Sequence, residues 1–291
     1  MMIWRSKIPS VSFPLSFGTF VEHFPISRIQ VSSISRRINA KSLSTAGISK
    51  SSDSSFFQAL SDTQKDQIHL YVEALLEWNQ RMNLTAVTVV EDVMERHVED
   101  SLALIPPITN CYSSPCNKSA NNVTLVDVGT GAGLPGLILA IACPDWRITL
   151  LESMNKRCVF LEHAVSFTGL SNVKVVRGRA ESIAHNVCFR EKFDVAVARA
   201  VAEMRILAEY CLPLVRVGGL FVAAKGHDPQ EEVRNAERSI QLMGASVLQL
   251  CSVQSQSPFG RRSAIICSKD RPTPRKYPRD PVATRVKIKD L

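Results

Sequence analysis

The 291-residue chain lacks any apolar run approaching the ~20 residues needed to cross a bilayer, so no membrane-spanning helix is expected and a soluble protein is. It also lacks grouped metal ligands. Eight cysteines stand singly at 111, 116, 143, 158, 188, 211, 251 and 267, with no Cys-x-x-Cys pair and no clustered histidines. Several fall in apolar stretches, where cysteine behaves as a small hydrophobe, so reduced thiols and no bound metal are expected. Acids are nearly missing from one region. Residues 1–50 carry seven Lys/Arg against Glu22 alone, a net +6, while the rest holds 28 bases against 26 acids, only +2 of the total +8. The basicity that points to a nucleic-acid partner is therefore mostly a property of the N-terminus.

That N-terminus has no helical periodicity and contains eleven serines. A serine-rich, arginine-dotted, acid-poor start reads as an organelle transit peptide over 1–50, with chloroplast favoured by the serines and mitochondrion as the alternative. Patterned sequence follows. Ile68, Tyr71, Val72, Leu75, Leu76, Trp78 and Met82 recur at three- and four-residue steps and predict a helix starting at Ser61-Asp62. Val93, Met94, Val98, Leu102 and Ile105 predict a second, from about Glu91 to Leu104, ended by Pro106-Pro107. His97 on this helix is expected to be solvated or capping. Residues 51–105 thus make a helical segment, and 106–122, rich in proline, serine and asparagine, a linker loop.

Residues 123–267 alternate strand and helix. Strands are predicted at 123–128, 147–151, 173–176, 193–198, 220–224, 246–250 and 263–267, and strict alternation implies an α/β fold with a mostly parallel sheet and helices on both faces. The last two strands lie too close for a helical crossover and should close the sheet as an antiparallel hairpin. Residues 268–291 read as a mobile basic tail.

The chain is organised around Val123-Thr-Leu-Val-Asp-Val-Gly-Thr-Gly-Ala-Gly-Leu-Pro-Gly136. A buried strand breaks into Gly129, Gly131, Gly133 and Gly136, and Pro135 can open the next helix. Such a turn is expected to aim backbone N–H groups at a nucleotide-type ligand. Two cofactors fit. Gly131-x-Gly133-x-x-Gly136 with Glu152 further on matches a dinucleotide fingerprint, which would make the protein an NAD(P)-dependent oxidoreductase. Asp127, two residues before the first glycine, instead resembles the strand-end acid of class I S-adenosylmethionine (SAM) methyltransferases, and the terminal hairpin leans the same way. Ligand groups should gather at strand carboxyl ends: Asp127, Glu152, then Arg177, Arg179, Ala180 and Glu181, then Arg199, then Lys225.

The glycine turn, Trp78-Asn79 with Asn83-Leu84-Thr85, Arg96-His97 with Asp100-Ser101, Ala198-Arg199-Ala200, Lys225-Gly226 and Arg275-Lys276-Tyr277-Pro278-Arg279 together resemble the glucose-inhibited division protein B family, the small-subunit ribosomal RNA methyltransferase G enzymes, from about Phe57 onwards. The resemblance implies a seven-stranded class I methyltransferase fold and SAM-dependent methylation of guanine N7 in the 530 loop of 16S rRNA. It implies cofactor contacts at Gly129, Leu134, Ala180, Glu181 and Arg199, beside Asp127, Gly131, Gly133 and Glu152, which the glycine turn and the strand ends already single out. Glu152 stands where many members have Asp. Arg199 and Lys225 are expected to orient the guanosine or its phosphates. Arg177, Arg179, Lys276 and Arg279 are expected to follow the RNA backbone. The partner is 16S rRNA or the small subunit, with no membrane and no metal, and no oligomer is expected. A residues-only alternative is a non-catalytic rRNA-binding assembly factor. The first fifty residues have no family counterpart, which fits an organelle-targeted, plant-type form.

Overall fold

Ser61 starts the first helix as the sequence requires. Its hydroxyl accepts from the Gln64 N–H while the Gln64 side chain accepts from the Ser61 N–H, a capping box that satisfies two otherwise orphaned donors of α1 (Asp62–Asn79). The computed structural model describes residues 55–113, 121–199, 202–226, 228–253 and 262–279. The expected transit segment, residues 114–120 of the linker, the loop holding Pro258 and Gly260, and everything past Arg279 lie outside the described residues. Those described fall in one compact unit, Ser52–Leu291.

The second helix is present but not uniform. α2 (Val90–Val93) passes through a π-helical turn, Met94–Glu99, into α3 (Asp100–Leu102). Residues 106–122 are not simply a loop, because α4 (Ile105–Ser113) occupies their first half. Pro106 and Pro107 sit in its first turn, where missing N–H groups cost no intrahelical bond, so they open a helix rather than only ending one. Ile108, Cys111 and Tyr112 are buried, and the Tyr112 hydroxyl donates to Asp194 Oδ1 (2.7 Å).

From there alternation holds: β1 (Thr124–Val128), α5 (Gly136–Ala142), β2 (Arg147–Glu152), α6 (Asn155–Phe167), β3 (Val173–Arg177), α7 (Ala180–Ile183), β4 (Phe193–Arg199), α8 (Met204–Cys211), β5 (Val215–Lys225), α9 (Gln230–Leu242), β6 (Ala245–Val253) and β7 (Arg262–Lys269). The seven strands form one sheet in the order β3-β2-β1-β4-β5-β7-β6. The first five are parallel, and β7 runs antiparallel to both β5 and β6, which is the closing hairpin.

Period-two alternation divides the core between the faces. Val195, Val197, Leu220, Val222 and Ile266 pack with α5, α6 and the helices of 62–113; Ala196, Ala198, Phe221, Ala223 and Ile265 pack with α8 and α9. The N-terminal helices therefore share one core with the sheet and cover apolar surface that α5 and α6 leave open.

The tail through Arg279 is docked, not mobile. Arg190 donates to the carbonyls of Ala184 and Tyr277 through Nη1 and of Thr273 through Nη2, each at 2.9 Å. Tyr277 is buried. Lys269, fully buried, donates to Leu212 O (2.7 Å) and to the Thr273 hydroxyl. Burial pushes its ammonium down to about 8, against the opposing pull of Glu191.

Candidate active site

The glycine turn adopts left-handed backbone at Gly129 (φ 71°), Gly131 (φ 61°) and Gly133 (φ 92°), which glycine tolerates without a Cβ clash. Its N–H groups, however, do not point outwards as expected. Gly129 donates to Leu151 O (2.9 Å), Gly133 to Thr130 O (2.9 Å), Gly131 to Glu152 Oε2 (3.1 Å) and Gly136 to Asp127 Oδ2 (2.8 Å). The Tyr71 hydroxyl anchors the outside by donating to Ala132 O (2.8 Å). A turn whose donors are spent internally makes a poor pyrophosphate cradle, which needs free N–H groups. What remains is a surface that a ligand can approach closely.

Asp127 is fully buried. Its Oδ2 also accepts from the Thr130 hydroxyl (2.6 Å), whereas its Oδ1 has no hydrogen-bond partner among the described residues. Burial raises its carboxyl to about 6, although the bonds from Thr130 and Gly136 and the nearby Arg199 cation oppose the rise. A Cβ at Gly136 would stand 2.8 Å from Asp127 Oδ2 and 2.4 Å from Leu150 Cδ2, so the acid and the helix start are fitted to each other. Pro135 precedes α5 as its cap residue. Leu134 is buried.

Glu152 is also buried and braces the turn. Its carboxylate accepts from Gly131, from Met154 N–H (2.8 Å) and from the Ser153 hydroxyl (3.3 Å), with Arg157 at 3.7 Å. A carboxylate has about four acceptor sites, so one remains for a ligand hydroxyl.

Two cavities flank β1 on the carboxyl rim. One is lined by Val128, Gly129, Leu151, Ser153, Arg179, Ala180, Glu181 and Tyr210 among others, bringing together three of the predicted cofactor contacts and one predicted RNA contact, Arg179. Glu181 is nine-tenths buried and pairs with Arg179 (3.2 Å). Arg177 donates to Asn155 Oδ1 (2.7 Å) and lies at the end of β3, three strands or roughly 14 Å from β4.

The other cavity is lined by Arg96, His97, Asp100, Leu104, Arg199, Lys225, Arg262 and Ser263 among others. Arg199 projects from the end of β4 and donates no hydrogen bond to a described residue. Burial lowers its guanidinium, and the fields of Tyr71, Asp100 and Asp127 oppose that. Lys225, expected to hold substrate, instead donates to Glu232 Oε1 and to Ala202 O, both at 2.6 Å. Its charge is neutralised by α9, so only its stem is offered to the cavity. Arg279 likewise departs from the RNA-binding expectation: its Nε and Nη2 donate to the buried Glu209 carboxylate, each at 2.9 Å. Lys276 stands over the Tyr277 ring at 5.3 Å.

Sequence reasoning left Asp100, Tyr210 and Arg262 out of the site. Asp100 was legible only through its place in the Arg96-His97 motif. Arg262 reaches the rim because β7 returns antiparallel beside β5, with Lys225 opposite Ser263. His97 is neither solvated nor a cap: it shares a hydrogen bond with the Thr85 hydroxyl (2.8 Å) and its Nδ1 faces Arg96 O (3.1 Å). The π-turn that carries Arg96 and His97 is the kind of irregularity that functional sites use.

Burial, then the Arg199 cation, push the His97 imidazole down to about 4 from 6.5. The unfolded chain therefore binds a proton between pH 6.5 and 4 that the folded chain refuses. The stabilisation is complete above 6.5 and is lost as pH falls toward 4, at no more than about 1.4 kcal/mol per pH unit. Relative to a His97→Gln variant, the parent should lose stability across that window in denaturant titrations. A constant difference from pH 7 to 4 would contradict the assignment.

Comparison with known proteins agrees with this geometry. Residues 64–262 match the family model described as GidB, rRNA small subunit methyltransferase G. The ribosomal RNA small subunit methyltransferase G of Alkaliphilus metalliredigens is 41% identical over 222 residues, 76% of this chain and 89% of that protein. Its counterpart in Alkaliphilus oremlandii is 43% identical over 220 residues, 76% of this chain and 88% of that protein. That of Staphylococcus aureus (strain Newman) is 40% identical over 222 residues, with 76% and 89% covered.

Proposed function

The chain belongs to the rRNA small subunit methyltransferase G family, and from that premise we propose that it methylates N7 of a guanosine in the 530 loop of 16S rRNA in chloroplast ribosomes. It is an rRNA methyltransferase of the class I SAM-dependent fold, and its methyl donor is SAM. The observation that carries the finer reading is the pair of cavities on either side of a glycine turn whose donors are internally spent.

The residues present fit the cofactor. Gly129, Ala180 and Glu181 line one cavity, Glu152 keeps one acceptor site for a ribose hydroxyl, and Asp127 Oδ1 is a buried acceptor without a partner among the described residues. When bound, SAM supplies an electrophilic methyl on a sulfonium centre. Guanine N7 has an in-plane lone pair, so no proton must be removed before attack and no general base is required. That agrees with a neutral His97 bonded to Thr85 and with Lys225 bonded to Glu232. Positioning is then the main contribution of the protein, an effect worth up to roughly 7–11 kcal/mol for ideal geometry. Arg199, which lines the other cavity and donates no hydrogen bond to a described residue, orients the guanosine in this reading.

The test is transfer of labelled methyl from SAM to small-subunit RNA lacking the modification, with the product mapped by N7-specific strand scission. Scission at one 530-loop guanosine is the expected result. Folded, SAM-binding protein that transfers nothing would favour a non-catalytic assembly factor. Residues 1–50 fused to a fluorescent reporter should direct it to chloroplasts; accumulation in mitochondria would move the ribosome, not the reaction.

A further inference from the structure

N7 exists on both guanine and adenine, so an enzyme that methylates one must read some other edge of the base. The two purines differ at the Watson–Crick edge. Guanine presents two donors there, N1–H and the N2 amino group, where adenine presents the bare N1 acceptor. A carboxylate, which only accepts, matches guanine and repels adenine. Enzymes that act on a base outside the stack commonly read it through that edge.

The cavity beside Arg199 contains one such carboxylate. Asp100 is 8% exposed, and its Oδ1 has no hydrogen-bond partner among the described residues. Its Oδ2 accepts from Arg262 Nε (3.0 Å), which fixes the carboxylate and leaves lone pairs on both oxygens. An unpartnered buried acceptor carries a desolvation cost that a ligand donor relieves. The neighbours suit a purine: Leu104 and Ala224 offer apolar surface, and Arg199 offers donors. The placement is also right. The cavity lies at the carboxyl ends of β4 and β5 and the start of β7, while the cleft lined by Gly129, Ala180 and Glu181 lies at the carboxyl ends of β1, β2 and β3, so the two share one rim of the sheet. On guanine, N7 and the N1/N2 edge lie on adjacent sides of the C6 carbonyl, so a contact to N1–H and the N2 amino group leaves N7 free.

We propose that Asp100 is the guanine-specificity residue, its carboxylate accepting from N1–H and the N2 amino group of the target base while Arg262 holds it in register. This rests on the guanine-N7 reading above. Asp100 takes no part in bond making; it positions the base so that N7 faces the methyl donor.

The test compares full-length enzyme on small-subunit RNA carrying guanosine or inosine at the target. Inosine keeps N7 and N1–H and lacks only the N2 amino group. Loss of one hydrogen bond to a charged acceptor predicts a fall in kcat/KM of about tenfold to a hundredfold for the parent enzyme. Asp100→Asn keeps an acceptor for Arg262 but halves the match to guanine, so its guanosine-to-inosine preference should shrink to within about threefold. The ratio is internal to each enzyme, so a general loss of activity or stability in the variant does not produce it. The parent measurement needs no variant at all. Equal rates on guanosine and inosine by the parent, or an undiminished preference in Asp100→Asn, would overturn this inference and leave the N7 reading standing. No N7 transfer to guanosine RNA by the parent would overturn both.

Discussion

Replacing Arg199 with alanine should lower kcat/KM for small-subunit RNA by about a hundredfold or more, the usual size of a positioning defect at a reacting centre. The side chain leaves the carboxyl end of β4, next to the strand that carries the glycine turn, and lines the cavity that holds Asp100. It donates no hydrogen bond to a described residue, so its guanidinium donors are not committed to one. Its surroundings are nevertheless tuned, with Tyr71, Asp100 and Asp127 all interacting with its charge in a desolvated setting. Arginine also cannot lose its charge at working pH, which makes it a fixed donor for a purine oxygen or a phosphate. Steady-state kinetics on the variant, with SAM affinity measured separately, divide its two expected roles. A large fall in turnover with SAM affinity within a few-fold assigns Arg199 to the guanosine. A matching loss of SAM affinity assigns it to the cofactor. Unchanged turnover would remove it from the site.

Arg279→Ala should act on stability and leave RNA affinity alone. Glu209 is buried at 4% exposure on α8 and receives three bonds from Arg279, from the backbone N–H (2.7 Å), Nε and Nη2. Removing the guanidinium leaves a desolvated carboxylate with the backbone donor alone. Breaking one partner of a buried pair costs about 3–5 kcal/mol, and partial exposure of the arginine puts this case near 2–3. For a folded unit of this size the melting temperature should fall by roughly 4–12 °C. The slope of RNA affinity against salt should not change, since no phosphate contact is lost. A slope smaller by about one, with an unshifted melting temperature, would instead make Arg279 a phosphate ligand.

Arg279 and Lys225 show where sequence reasoning stops. Both are basic residues at plausible positions, and a basic side chain looks the same in a sequence whether it meets phosphate or a buried carboxylate. The partners that decided the matter, Glu209 and Glu232, lie 70 and 7 residues away and are brought close only by packing. Arg199 is also a basic residue with the opposite outcome, because its side chain donates no hydrogen bond to a described residue even though the fields of Asp100 and Asp127 reach it. The 106–122 segment failed for a different reason. Proline after a helical pattern predicts its end, but in the first turn of α4 it starts a helix whose inner face, Ile108, Cys111 and Tyr112, covers the sheet.

Local order was legible without the structure. Strand and helix periods, the Ser61 cap, the glycine turn with Asp127 and the short gap before the last strand determined the element order and its antiparallel close, because each depends on neighbours a few residues apart. Family motifs added the cofactor. The direction of each polar group was decided only by the tertiary structure. The glycine N–H groups turned inwards to Leu151, Thr130, Glu152 and Asp127, the N-terminal helices joined the core of the sheet, and Asp100 met Arg262 from 162 residues away. A buried donor or acceptor takes whichever partner packing brings to it, and that choice is made by long-range contacts the local sequence does not encode.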